Sequence, residues 1–242
     1  MGKRVFSNFL MVLITCFTLA SAAQQKKNNM EQLDKKEQQI VDISALTAIG
    51  DIPKLKKSLN LGLDAGLTVN EIKETLVQLY AYCGFPRSLN AINAFIAVLD
   101  ERKAKGISDV EGKTSGDMAI ADKYQSGKKN LQTLTGVEEK KLSGANAFAP
   151  AIDSFLKEHL FADIFNRDVL SFKTRELITI SALAAMTGVA PQLQAHIGMG
   201  MNTGISETEL KSAFELIDKS INTTQGNLAR ETLRKVLASR KP

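Results

Sequence analysis

The chain has 242 residues, of which 24% are charged and 6% aromatic, with two cysteines, two histidines and no tryptophan; its formal net charge is +5. The basic residues are scattered and are not interleaved with aromatics, so no nucleic-acid platform is predicted. The few histidines and scattered acids show no metal-ligand spacing, and no cofactor motif is present.

Lys3 and Arg4 precede an apolar run from Val5 to Ala20 that ends in Ala20-Ser21-Ala22-Ala23. This order is that of a cleaved secretory signal, so residues 1–23 are expected to be removed and the protein to be exported, periplasmic or secreted, with no stable membrane insertion. Export leaves Cys83 as the single thiol, which excludes an intramolecular disulfide. Residues 24–36 are rich in Lys, Gln and Asn and are expected to form a flexible arm.

An imperfect duplication follows. Ile43-Ser44-Ala45-Leu46-Thr47-Ala48-Ile49-Gly50 returns as Ile180-Ser181-Ala182-Leu183-Ala184-Ala185-Met186, and Pro53-Lys54-Leu55 returns as Pro191-Gln192-Leu193. Asp64-Ala65-Gly66-Leu67-Thr68 likewise matches Asn202-Thr203-Gly204-Ile205-Ser206. The offset is about 138 residues. It gives a first repeat at 37–103, a connector at 104–147 with a short helix near 117–134, and a second repeat at 148–242.

Apolar residues recur at three- and four-residue spacings, which predicts helices almost throughout. Thr68-Val69-Asn70-Glu71 and Ser206-Glu207-Thr208-Glu209 read as capping boxes, and Pro53 and Pro191 fall where helices begin. Gly50, Gly66, Gly188 and Gly204 fall at helix ends. Each repeat therefore resolves into three helices joined by tight turns. Gly62, Gly198 and Gly200 lie inside predicted helices, where close helix packing would explain them.

The copies carry different reactive groups. Glu176 stands opposite Gln39, and His196 opposite Ser58. An acid beside an imidazole fixes its tautomer and favours its protonated form, which suits proton transfer near neutral pH. His159, on an amphipathic stretch from Phe155 to Phe165, reads as a surface or packing residue. Cys83 is either a buried hydrophobe or a reactive thiol.

Arg175-Glu176-Leu177-x-Thr179-x-x-Ala182-Leu183-x-Ala185, then Pro191-Gln192-Leu193-x-x-His196, then Asn202-x-Gly204-Ile205-Ser206-x-x-Glu209 resembles the carboxymuconolactone decarboxylase pattern within the alkyl hydroperoxidase D-like superfamily. Gln78-x-x-x-Tyr82-Cys83-Gly84-Phe85-Pro86-x-x-x-Asn90-Ala91 resembles the same family's downstream signature. The resemblance implies an all-α fold of tandem repeats and a homo-oligomer, trimer or hexamer. It makes Glu176 and His196 the proton-handling pair, with Tyr80, Tyr82, Arg87 and Gln192 around a small-molecule substrate. The hydroperoxidase branch has a Cys-x-x-Cys between the Glu and His positions. Here that stretch reads Gly188-Val189-Ala190-Pro191, so a dithiol relay is excluded.

The leading expectation is a decarboxylase-like lyase acting on a small carboxylated lactone or cyclic acid. A thiol peroxidase using Cys83, or a helical binding protein without catalysis, are the alternatives.

Overall fold

The computed structural model describes residues 32–116 and 119–240. The expected signal at 1–23 and most of the arm at 24–36 lie outside the described residues.

The first repeat folds into α1 (Lys35–Ile49), α2 (Ile52–Asp64), α3 (Val69–Cys83) and α4 (Phe85–Ala104). The connector carries α5 (Lys123–Thr135) and a single turn, α6 (Gly144–Phe148), that leads into the second repeat. The second repeat opens on another single turn, α7 (Pro150–Ser154), and a π-helical segment, Phe155–Ile164, and continues as α8 (Phe172–Ala185), α9 (Ala190–Asn202), α10 (Glu207–Ser220) and α11 (Thr223–Ser239). There is no strand among the described residues, and no helix there is long and apolar enough to cross a membrane. The chain is all-α, and α1–α4 correspond to α8–α11, four helices in each repeat where three were expected from the sequence.

Helix boundaries follow the local chemistry of the sequence. Thr68 accepts a hydrogen bond from the amide of Glu71, whose carboxylate accepts one from the amide of Thr68; Ser206 and Glu209 repeat the arrangement. Pro53 and Pro191 sit in first turns, where a missing amide hydrogen leaves no intrahelical bond unmade. Gly50 ends α1 at φ 77°, a left-handed conformation that other residues adopt only with strain.

The duplicated helices α1 and α8 pack against each other at the centre, and each is sheathed by elements of both halves. α3 of the first repeat packs on α8, and α10 of the second repeat packs on α1. The packing is reciprocal, because α3 also touches α1 and α10 also touches α8. Every residue from Arg175 to Ala185 is buried, so α8 is enclosed on all sides, as expected for a helix apolar around its circumference. One core, running from Val41 and Leu46 to Ile178 and Phe214, is shared by both repeats.

Two glycines set the central spacing. A Cβ on Gly62 would come within 3.2 Å of Ile43, near Leu67 and Gln39; one on Gly200 would come within 2.7 Å of Ile180, near Ile205 and Glu176. These neighbours are themselves repeat-equivalent. Gly198 differs, because nothing lies within 4 Å of its would-be Cβ, so close packing does not explain it.

The connector is tied down rather than loose. Carbonyls of Val110 and Glu111 accept the first two amides of α3, at 3.0 Å each, completing the cap begun by Thr68. Downstream, α5 packs along the π-helical segment so closely that a Cβ on Gly127 would meet the Lys157 carbonyl. The Lys157 ammonium, inaccessible to solvent, is held by Asp153 at 2.6 Å, by Glu139 and by the Tyr124 hydroxyl at 3.2 Å. Met199 packs into the adjoining cluster with Leu134, Phe161 and Phe165.

Candidate active site

Glu176 lies in the first turns of α8 and His196 in the middle of α9. Their packing, set by Gly200, brings His196 Nδ1 to 2.8 Å from Glu176 Oε2, with both side chains buried. With the carboxylate ionised, Nδ1 carries the hydrogen and Nε2 keeps its lone pair. The pair expected from the sequence is formed within one chain.

Tyr82 comes from the other repeat. Its ring meets that of His196 edge to face, with centroids 5.4 Å apart, at the place where α3 crosses α8. Burial, and then the nearby Glu176 carboxylate, push the phenol well above its ordinary range, so it stays protonated. Thr179 is near but commits its hydroxyl elsewhere, accepting from Gln78 Nε2 at 3.0 Å and donating to the Arg175 carbonyl at 3.0 Å. The Tyr82 hydroxyl is left without a partner among the described residues, as are Glu176 Oε1 and Arg175 Nε. Three buried polar atoms, two donors and an acceptor, thus remain unsatisfied along the α3–α8 contact, where such groups normally have partners.

A clamp that sequence reasoning missed holds that contact. Gln78, one turn before Tyr82, donates to the Arg175 carbonyl at 2.8 Å and accepts from Arg175 Nη1 at 2.9 Å. Arg175 also donates to the Arg167 carbonyl at 2.7 Å and approaches Glu74 at 3.5 Å. Glu74 is gripped by Arg167 through Nε and Nη2, as close as 2.6 Å. Desolvation lowers the pKa of the Arg175 guanidinium, against the attraction of Glu74. Arg175 stood in the sequence only as a motif residue without a role, and Glu74 and Arg167 gave no signal because charged residues on helix faces and in turns ordinarily face solvent.

The other expected site residues are placed differently. Tyr80 stacks on Phe85 with centroids 4.4 Å apart and tilts toward His159 at 5.5 Å. His159 is half exposed and its Nδ1 lies 3.1 Å from Asp163, in keeping with a surface residue. Arg87 donates to the Ala48 carbonyl at 2.6 Å, so one nitrogen of its fork ties α4 to α1. Gln192 is exposed, one turn before His196 on the same face of α9. Cys83, half-buried, directs its thiol to the Leu79 carbonyl at 3.1 Å. Burial pushes that thiol up to about 11, although Arg87 pulls the other way. Its position as the last residue of α3 adds the negative end of a helix dipole.

The repeat-equivalent position lacks the chemistry. Gln39 and Ser58 replace Glu176 and His196, and Ser220 stands opposite Tyr82. Among the described residues no group of three or more His, Cys, Asp or Glu is arranged to hold a metal. A broad groove of about 1000 Å³ runs along α10 and α11, away from the pair, and neither Glu176 nor His196 lines it.

Comparison with known proteins shows the family. Residues 19–97 and 150–218 match the carboxymuconolactone decarboxylase family, one match for each repeat and more than half of the chain together. An uncharacterized protein of Methanocaldococcus jannaschii is 26% identical over 72 residues, covering 30% of this chain and 67% of its own length. With a doubled helical unit and both regions matched, the chain belongs to the carboxymuconolactone decarboxylase family.

Proposed function

We propose that this protein is an acid–base enzyme in which His196, oriented by Glu176, transfers a proton to a small carboxylated lactone or related cyclic acid during loss of carbon dioxide. The observation that carries this reading is the buried 2.8 Å contact between His196 and Glu176, joined by a Tyr82 hydroxyl that has no partner of its own. In the reaction, the bond from the ring to the carboxylate breaks and its electron pair moves into the conjugated ring as carbon dioxide leaves. A proton that Nε2 has first taken up from solvent, making the imidazolium, then replaces the lost carboxyl group, and the ring returns to its Nδ1-protonated tautomer. Glu176 keeps the ring in the productive tautomer and balances the imidazolium, while Tyr82, neutral across the physiological range, donates to the oxygen on which charge accumulates.

The thiol peroxidase reading is weaker, because a thiol raised to about 11 holds little of the nucleophilic thiolate at neutral pH. The enzyme is proposed to work after export and as a homo-oligomer. The test is turnover of a panel of carboxylated five-membered lactones, followed as carbon dioxide release, by the purified protein and by His196→Gln. Release that His196→Gln abolishes without loss of helical content supports the reading. Release that survives the substitution refutes the role of His196, and a panel that yields none at all refutes the substrate class.

A further inference from the structure

A second cavity, of about 460 Å³, opens between α3 and α4, and neither Glu176, His196 nor Tyr82 lines it. Its walls are Leu76, Val77, Ile92, Phe95 and Ile96, with Val169 closing one side. The size and composition are those of a small-ligand site, apolar over most of its surface with a few polar groups at one end.

Those polar groups decide what it can hold. Arg167 is engaged by Glu74 at 2.6 Å, and Lys73 by Glu111 at 2.8 Å. The charges at this end are therefore already compensated by neighbours, and the cavity offers an incoming charged group no uncompensated partner of opposite sign. The uncharged groups at the same end are Asn70, Thr114 and Ser115, two of them hydroxyls. Thr114 and Ser115 belong to a strap that does not swing freely: Asn70 Nδ2, from α3, donates to its Gly112 carbonyl at 3.1 Å, and its Lys113 pairs with Asp168 at 2.5 Å. Gly112 has φ 79°, and a Cβ there would strike Thr68, so the strap is seated on the start of α3 by a residue that only glycine fits.

We propose that this cavity binds an uncharged amphiphile, with an aliphatic or alicyclic body against the Leu76–Ile96 wall and a hydroxyl, ester or carbonyl oxygen at the Thr114–Ser115 end. The site is separate from the His196 pair and does not depend on the reaction proposed for it.

The experiment is titration of the purified full chain with Nile red, a neutral polarity-sensitive dye, displaced in parallel by 1-decanol and by decanoate. Saturable binding is expected, with decanol displacing the dye at least tenfold more effectively than decanoate. Ile96 and Val77 are part-exposed, 51% and 37%, so Ile96→Glu and Val77→Glu place a charge in the wall while leaving the core intact. Each is expected to weaken dye binding at least tenfold at unchanged helical circular dichroism and unchanged mass by light scattering. Four results would overturn the proposal: no saturable binding, equal displacement by decanoate, dye affinity unaffected by both variants, or an assembly that either variant dissociates. The last would identify the face as a contact between copies of this chain.

Discussion

Gly62 and Gly200 occupy equivalent positions in the two repeats and meet equivalent neighbours, Ile43 and Ile180, but not with equal room. A Cβ on Gly62 would sit 3.2 Å from Ile43, whereas one on Gly200 would sit 2.7 Å from Ile180 and 3.6 Å from the Cβ of Glu176. Alanine gains about 1 kcal/mol in a helix interior, and overpacking a core costs about 1–3 kcal/mol. Gly62→Ala is therefore expected to be nearly neutral in chemical denaturation and Gly200→Ala destabilising. A Gly200→Ala protein as stable as the parent would show that the interior yields where close packing is inferred.

Glu176→Gln retains an acceptor for His196 Nδ1 but removes the charge, while Glu176→Ala leaves a buried imidazole nitrogen unsatisfied. The alanine variant is expected to lose about 1–3 kcal/mol of stability and the glutamine variant less. With only two histidines in the chain, the imidazole nitrogens are readily assigned by NMR. The His196 Nδ1 hydrogen should be observable and slow to exchange in the parent, and lost in Glu176→Ala. The His159 signals should stay where they are.

The clamp between α3 and α8 positions Tyr82 through Gln78. Gln78→Leu would leave Arg175 Nη1 without its partner and take one of two side-chain donors from the Arg175 carbonyl, at a cost of about 1–3 kcal/mol. Because the Tyr82 ring lies 5.4 Å from that of His196, the His196 carbon-bound protons sense its ring current. They are expected to shift in Gln78→Leu. If stability falls but those shifts do not move, the clamp supports the fold without positioning the tyrosine.

Cys83 titrates upward, from an ordinary 9.0 to about 11. Two units correspond to about a hundredfold less thiolate at neutral pH. Alkylation by iodoacetamide at pH 8 is expected to run about a hundredfold slower in the native protein than in denaturant. The raised value means that the native state holds its proton longer than the unfolded chain. This contribution to stability is therefore complete below pH 9 and disappears as pH rises through 11. Rapid native alkylation would restore the peroxidase alternative.

Burial opposes the charge on Asp153, yet hydrogen bonds from Lys157 and Tyr124 hold its carboxyl below the ordinary 3.8. A depressed carboxyl contributes stability above the unfolded value and loses it as pH falls through the lower folded one. Amide exchange in α5 and the π-helical segment is expected to quicken below pH 4, before α8 loosens. Lys157→Ala should give the same local opening at neutral pH, since it strands a buried carboxylate at a cost of about 3–5 kcal/mol. Uniform protection across α5 and α8 in that variant would show that the ammonium is dispensable.

The sequence made the duplication, the caps and the proton-handling pair readable for a common reason: each is local or periodic. Prolines and glycines at helix ends and a hydroxyl followed three residues later by Glu act within a single turn. Glu176 and His196 stood out by contrast with Gln39 and Ser58. What could not be read was the partner of each helix. The fourth helix of each repeat, Phe85–Ala104 and Thr223–Ser239, was not read because the two segments show too little similarity to one another to extend the repeat. The stretch after Ser154 has an apolar pattern that fits an α-helix, whereas its packing against α5 gives a π-helical path. Tyr80, Tyr82, Cys83 and Arg87 share one short segment and were expected to converge. Successive positions on a helix point in different directions, and only Tyr82 reaches the imidazole.

The exchange of α3 and α10 between halves gives the molecule a freedom that a symmetric dimer of one repeat lacks. In such a dimer any replacement appears at both crossings at once, so a helix surface must serve identical partners. Joined in tandem, the crossing at α1 can lose its histidine and tyrosine while the crossing at α8 keeps them. Ser58 and Ser220, opposite His196 and Tyr82, show that the two crossings carry different side chains within one chain.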